Sequence, residues 1–307
     1  MKKNFPRVLI TGGSGLLALN WAATIRKQNT VFLALHSRKL IMNGVNAFFI
    51  RLDSVSSLVD FLTKNKIDIL ISTLGLTNIE LCEINPAAAE YTNMHLAGVA
   101  ASACRQSGVR FVQISTDHLF AGDKTFVNEE ELVSPLNVYG KTKAAAEALI
   151  LNINIKSLII RTNFFGWGPS YRHSISDTIL MALRSGQKIT LYKDVYYTPI
   201  IISELVKLVH QLLEGDATGI YNVVGDDRLS KYEFGLLISK TFNEDSGLIH
   251  EGSIQDNANL VTRPLDMSLS NAKLTQFIGH SIGTVQNFIE MLYVEEKNDV
   301  ISELRKL

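Results

Sequence analysis

Arg7-Val8-Leu9-Ile10-Thr11-Gly12-Gly13-Ser14-Gly15-Leu16-Leu17-Ala18 is the stretch whose reading decides the fold. Its first five residues are an apolar run of strand length that drops straight into glycines, and a helical pattern follows through Ile25. Glycines at such a turn let the backbone approach a pyrophosphate, and the N–H groups opening the helix favour its negative charge. Gly12, Gly15 and Ala18 fit one spacing of a dinucleotide fingerprint, while Gly13, Gly15 and Ala18 fit another; the last place needs only close helix packing. Ser14 and Leu16 belong to the same turn and are expected cofactor contacts. A glycine turn alone is equally an ordinary tight turn, but its place after the first strand of an α/β chain is the confirming context.

Outward from that turn, strands and helices alternate. Residues 30–35 read as the second strand, and its end, His36-Ser37-Arg38-Lys39, has no Asp or Glu to hold ribose hydroxyls. Cations stand there instead, which suits a 2′-phosphate, so NADP(H) is favoured over NAD(H). Surface cations facing water are the competing reading. Residues 47–50 read as the third strand, and Asp53 leads into a helix capped by Ser54. The fourth strand, 67–72, ends at Ser72, and Thr73-Leu74-Gly75 lies where cofactor contacts collect, outside the carboxyl ends of parallel strands. Pro86 opens a long helix of small residues through Gln106. The fifth strand, 110–115, delivers Thr116. This rhythm implies an α/β fold, a doubly wound parallel sheet covered on both faces.

A second stretch carries the chemistry: Ser134-Pro135-Leu136-Asn137-Val138-Tyr139-Gly140-Lys141-Thr142-Lys143. Tyr139 and Lys143 stand at i, i+4, so on a helix they share a face. A free phenol ionises near pH ~10, and a neighbouring cation favours the phenolate, so Lys143 is expected to make Tyr139 more acidic. A Tyr and a Lys at this spacing also describe a solvated helix face. A hydroxyl at Thr116 and a phenol on the next helix could both bond one carbonyl oxygen, a geometry that stabilises a developing alkoxide.

Composition narrows the partners. Lys+Arg 30 against Asp+Glu 30 in 307 residues gives no net charge, hence no electrostatic footprint for nucleic acid or an anionic membrane. Cys82 and Cys104 cannot make a disulfide framework, and the first strand begins within ten residues, which leaves no room for a signal peptide. Cytoplasmic residence is expected. No apolar run reaches the roughly 20 residues of a membrane span, and no metal is called for.

Taken together these residues resemble the extended short-chain dehydrogenase/reductase superfamily, and within it the dTDP-4-dehydrorhamnose reductase group. Thr11 through Ala18 resembles the cofactor turn, Ser115-Thr116-Asp117-His118-Leu119-Phe120 a Ser-Thr-Asp-Tyr-Val-Phe segment, and Pro135 through Lys143 a Pro-Leu-Asn-x-Tyr-Gly-x-x-Lys helix. The resemblance implies Thr116, Tyr139 and Lys143 as a catalytic triad, Asp53 as an adenine contact, Asn93 as a helix residue near the active site, and Thr162 and Asn163 beside nicotinamide and substrate. Asp53 could equally be a turn residue. The chain departs from the group at His118, where Tyr is usual, at Leu74-Gly75, which replaces Ala-Ala, and at Ala18. His118 with Asp117 bears on the identity of the sugar; it could equally be a packing histidine. The other two bear on cofactor affinity.

Residues 1–161 are expected to form the cofactor-binding unit, and 162–307 mainly a smaller substrate-binding region with segments returning to the sheet. Asp194-Val195-Tyr196-Tyr197-Thr198-Pro199 resembles the group's Thr-Pro segment at the substrate cleft, or is an aromatic-rich turn. By the same resemblance Arg263, before Pro264, reaches a nucleotide phosphate; a surface salt bridge is the alternative. Residues 200–213 read as an amphipathic helix, 219–225 as a strand, and the charged tail 295–306 as fraying. The expected activity is reduction of a nucleotide-linked 4-keto-6-deoxy sugar, with a nucleotide sugar and a second copy of the chain as expected partners. An epimerase of the same fold and a non-catalytic regulatory subunit are the alternatives. A dehydratase is disfavoured because Asp117-His118 stands where an Asp-Glu pair is expected.

Overall fold

The apolar run that opens the chain becomes the strand on which the others pair. In the computed structural model, which describes residues 6–257 and 259–307, the first half runs β1 (Arg7–Thr11), α1 (Leu16–Ile25), β2 (Thr30–Leu35), β3 (Val45–Phe49), α2 (Val55–Lys64), β4 (Ile69–Ser72), α3 (Ile79–Ile84), α4 (Pro86–Glu90), α5 (Leu96–Ser107), β5 (Arg110–Ile114), α6 (Val138–Ile153) and β6 (Leu158–Arg161). The second half runs β7 (Phe164–Phe165), α7 (Ile175–Arg184), β8 (Ile189–Tyr192), β9 (Tyr196–Tyr197), β10 (Ile200–Ile201), α8 (Ile202–Glu214), β11 (Gly219–Asn222), β12 (Leu229–Ser230), α9 (Lys231–Phe242), β13 (Ile249–Gly252), α10 (Ala272–Ile278), α11 (Val285–Glu295) and α12 (Asp299–Lys306).

Seven strands form one sheet in the order β11-β6-β5-β4-β1-β2-β3, and every pairing in it is parallel. Strand order reverses at β1, which has β2 on one side and β4 on the other. In a doubly wound sheet that reversal opens a crevice outside the carboxyl ends of the strands. Parallel strands need helices on both faces, which is why β1 and β6 read as unbroken apolar runs. On one face pack Leu19 and Trp21 of α1 with Leu205 and Val209 of α8. On the other pack Leu58 of α2, Cys104 of α5 and Ile150 of α6. The fold is Rossmann-type, and β11 returns from the second region to extend its sheet.

Three expectations need correction. The helix expected over 86–106 is interrupted by a π turn, Tyr91–His95, which rotates Asn93 into the interior. Residues 200 and 201 pair with β7 before the helix begins at Ile202. The tail expected to fray is instead α12, whose Ile301 and Leu304 are buried and whose Glu303 pairs with Arg26 at 2.6 Å. An apolar pair at i, i+3 docks it, a signal masked by the surrounding charges. Among the described residues, no helix is long and apolar enough to cross a membrane.

The catalytic-helix candidate, α6, is fastened to the sheet by a buried pair. Glu147 accepts from Arg161 Nη2 at 2.7 Å and Nε at 3.1 Å, and from Ser115 Oγ at 2.5 Å; the paired side chains are 5% and 3% exposed. Breaking a buried pair leaves its partner's charge uncompensated, so Glu147→Gln should lower the unfolding free energy in urea by about 3–5 kcal/mol. Lys193→Ala removes a pair to Glu251 that is exposed on both sides, and should cost no more than about 1 kcal/mol in the same measurement.

Candidate active site

The glycine turn sits at the strand-order reversal. Gly12 takes φ +72°, a left-handed conformation that side chains resist. Gly13 donates to the Ala34 carbonyl at 3.0 Å, and a Cβ there would lie 2.9 Å from that oxygen, so the turn is pressed onto the end of β2. On the other side Thr73 Oγ1 donates to the Thr11 carbonyl at 2.7 Å. Gly15 caps α1 without a side chain of its own, leaving the first N–H groups of the helix to face the crevice.

That crevice is a cleft of about 500 Å³. Gly12, Ser14, Gly15 and Leu16 line one end with His36 and Ser37. Thr73 and Leu74 flank the middle. Thr116, Asp117, His118, Tyr139, Lys143, Thr162 and Asn163 line the other end. Asp53 lies in an adjoining pocket of about 340 Å³ that shares His36, Leu52 and Leu74 with the cleft, and there it pairs with Arg51 at 3.2 Å. Four expected contacts stand outside the lining. Ser72 is buried within β4. Thr198 is buried too, and its hydroxyl accepts from the Leu269 N–H at 3.1 Å, so it packs. Arg263 is paired with Glu80 of α3, the ion-pair reading. Arg38 stacks on Tyr171, with its guanidinium 3.8 Å from the ring centre.

Tyr139 and Lys143 are not on a solvated face; they are 8% and 5% exposed. The helix carrying them starts later than Ser134-Pro135 implied, with Asn137 as its cap accepting from the Gly140 N–H at 2.9 Å. A Cβ on Gly140 would collide with the His118 carbonyl. Glycine therefore lets the first turn of α6 close on the segment after β5, bringing Tyr139 beside Thr116. Lys143 Nζ donates to the Ile114 carbonyl at 2.7 Å, and burial lowers its pKa to about 8.

The expectation that Lys143 acidifies the phenol is not met in this structure. Burial pushes Tyr139 above the ordinary phenol value, opposed by a hydrogen bond with Thr116. Desolvation outweighs the field of an ammonium whose hydrogen bond goes to a backbone oxygen. The proton is thus held on Tyr139, and the lysine is poised between its charged and neutral forms.

The remaining polar groups are ordered around this pair. Asp117 accepts from Asn163 Nδ2 at 2.6 Å and from Thr116 Oγ1 at 3.3 Å. The His118 ring meets Tyr139 edge-on, with centroids 5.7 Å apart, and burial lowers its pKa. Asn93 donates to Thr142 Oγ1 at 3.0 Å and to the Leu76 carbonyl at 3.1 Å, and accepts from the Leu76 N–H at 2.7 Å. It ties the π turn, the loop after β4 and α6 together. Buried Thr162 Oγ1 and His118 Nδ1 have no partner among the described residues.

Arg172, His173 and Ser174 also line the cleft and were not anticipated; an Arg-His pair in a Gly-Pro loop was the available signal. Lys231 was missed as well. Its Nζ lies 3.4 Å from the centre of the Tyr197 ring, and burial lowers its pKa to about 8, against the pull of Asp117. At the first position of a helix it carried no signal distinct from a solvated cation.

The residues present fit a dinucleotide: a turn pressed against two strand ends, a free helix start, and an unpartnered Thr162 hydroxyl and a buried Lys143 amine lining the same cleft. Comparison with known proteins agrees. Residues 6–296 match the model of the RmlD substrate binding domain. A probable low-salt glycan biosynthesis reductase, Agl14, of Haloferax volcanii is 24% identical, with 92% of this chain and 96% of that protein covered. The dTDP-4-dehydrorhamnose reductase of Aggregatibacter actinomycetemcomitans is 26% identical over 89% of this chain and 93% of its own. The methionine adenosyltransferase 2 subunit beta of Rattus norvegicus is 24% identical over 87% and 81%. The crystal structure of a dTDP-4-dehydrorhamnose reductase from Bacillus anthracis in complex with NADP superposes with a TM-score of 0.83 at 20% identity, covering 95% of this chain and 99% of that one. The chain belongs to the RmlD substrate binding domain family, within the extended short-chain dehydrogenase/reductase superfamily.

Proposed function

We propose that this protein is an NAD(P)H-dependent reductase of a nucleotide-linked 4-keto-6-deoxy sugar, similar in activity to the dTDP-4-dehydrorhamnose reductases it resembles. One observation carries the reading: Tyr139, Lys143 and Thr116 converge, buried, at the end of a cleft that begins at the glycine turn. Proteins that only pack a helix there have no need of an amine and a phenol taken out of water together.

The reduced nicotinamide supplies the hydride chemistry. The chain's own groups handle the proton and the charge. Tyr139 holds its proton and gives it to the carbonyl oxygen, while Thr116, freed from its long bond to Asp117, donates to the same oxygen. The ammonium of Lys143, one helical turn along, offsets the negative charge left on the phenol and donates to ribose hydroxyls. Asp117 and Asn163, bonded to each other, hold sugar hydroxyls, and Arg263 exchanges Glu80 for a phosphate. His36, Ser37 and Arg38 favour NADP(H). A second reading, a cofactor-binding regulatory subunit, has the Rattus norvegicus relative in its favour; it requires cofactor binding without ketone turnover.

Tyr139→Phe should lower kcat by roughly 10²–10⁴ and leave the dissociation constant for NADPH unchanged. Stopped-flow absorbance with a panel of nucleotide 4-keto sugars reads the first and fluorescence titration the second; full turnover without the hydroxyl excludes the assignment. Lys143 has its pKa lowered to about 8, so it is charged below that pH and neutral above it. The kcat/KM for reduction should therefore fall as pH rises through about 8, and a profile flat to pH ~9 would remove the lysine's charge from the mechanism.

A further inference from the structure

The segment from Gly168 to Ser174 has a preset shape. Gly168 and Ser174 both donate their N–H groups to Asp177 Oδ2 at 2.9 Å, and Arg172 donates its N–H to the Pro169 carbonyl at 3.0 Å. A Cβ on Gly168 would collide with the Arg172 carbonyl, so the loop closes only with glycine there. Just ahead of it, the Trp167 indole donates to the Leu292 carbonyl at 3.0 Å, and its own carbonyl accepts from Asn20 at 2.8 Å. A loop so rooted holds its tip in one place.

From that tip two side chains reach the cofactor turn and the loop opposite it. The Tyr171 hydroxyl donates to the Ser14 carbonyl at 2.9 Å, and Arg172 Nη2 donates to Thr77 Oγ1 at 3.3 Å. The segment therefore crosses the crevice from the end of β1 to the loop after β4. Over the Tyr171 ring lies the Arg38 guanidinium, 3.8 Å from its centre. Arg38 makes no ion pair among the described residues. Held over a ring and free of ion pairs, a guanidinium can offer N–H groups to a bidentate acceptor. The hydroxyls of Ser14 and Ser37 belong to residues lining the same end of the cleft, and no carboxylate stands at the end of β2.

We propose that Tyr171 is a positioning residue for cofactor choice: its ring, held beside the glycine turn by the rooted loop, places Arg38 where the guanidinium receives the 2′-phosphate of a dinucleotide. The role rests on the reading of the cleft as a dinucleotide site. It assigns part of the cofactor's recognition to the second half of the chain, so the substrate-side region selects the cofactor as well as covering it.

Calorimetric titration of the full chain with 2′,5′-ADP and with 5′-AMP isolates the 2′-phosphate from the catalytic step. The wild-type chain should prefer 2′,5′-ADP. Arg38→Ala should weaken 2′,5′-ADP by about thirtyfold, the scale of hydrogen bonds to a charged group. Tyr171→Leu should weaken it by roughly fivefold, the scale of a lost stack beneath a cation. Neither should change 5′-AMP binding, Tyr171→Phe should stay within about twofold of wild type because the ring remains, and Tyr171→Leu added to Arg38→Ala should cost nothing more. Equal weakening of both probes by Tyr171→Leu, or no weakening of either, overturns the positioning role while the dinucleotide reading stands. A Phe variant as weak as the Leu variant overturns it too, since the bond to Ser14 rather than the ring would then matter. Failure of the wild-type chain to bind either probe overturns both.

Discussion

One face of α6 is zipped onto the carboxyl ends of β5 and β6, and the candidate site exists because of that contact. Tyr139, Lys143 and Glu147 stand at i, i+4 and i+8, a single stripe along the helix. Glu147 takes Arg161 and Ser115, Lys143 takes the Ile114 carbonyl, and Gly140 leaves room for the His118 carbonyl. The last member, Tyr139, lines the cleft together with Thr116. Apolar residues would seat a helix there at lower desolvation cost. A buried polar stripe, bonded to the sheet at Glu147 and at Lys143, instead fixes the rotation of the helix and with it the aim of the phenol.

Burial sets the acid–base character of the pair in a direction that side-chain spacing does not reveal. Spacing alone brings an ammonium near a phenol, and in water that would favour the phenolate. In the folded chain both groups lose water, so both charged forms are disfavoured: Tyr139 rises and Lys143 falls to about 8. The ground state keeps the phenol neutral and protonated. In the proposed reduction, charge would arise on it only as the proton leaves, and the amine one turn along would then be worth most. An environment of low polarity strengthens that late attraction more than it strengthens anything in the resting site.

Most of what was legible in the sequence was local. The strand, glycine turn and helix at residues 7–25 needed only the apolar run and the glycines, and the alternation that follows implied the parallel sheet. Thr116, Asp117, Tyr139 and Lys143 were legible because their motifs lie on consecutive elements that a doubly wound sheet must bring together. What escaped depended on partners far away in the chain. Asn93 was expected on a regular helix near the site; the π turn that carries it, and whose register answers to Leu76 and Thr142, was not. Arg263 meets Glu80 across 183 positions. Thr198 looked like a cleft residue, yet its hydroxyl is used to hold Leu269. The terminal helix looked like a solvated tail because its two buried residues are set among charges.

His118 shows how a single departure from the family pattern acquires physical meaning once the packing is known. The ring lies edge-on to Tyr139, and burial lowers its pKa despite the neighbouring carboxylate of Asp117. It is therefore neutral at ordinary pH, with one ring nitrogen, Nδ1, buried and without a partner among the described residues. A neutral imidazole presents one donor and one acceptor, whereas a tyrosine at the same place would present a hydroxyl some distance further from the backbone. Lys231 and Arg263, neither of which lines the cleft, both act to keep it neutral. What the position offers is therefore hydrogen-bond direction and reach, and the nearby charge is that of Lys231 and Arg263.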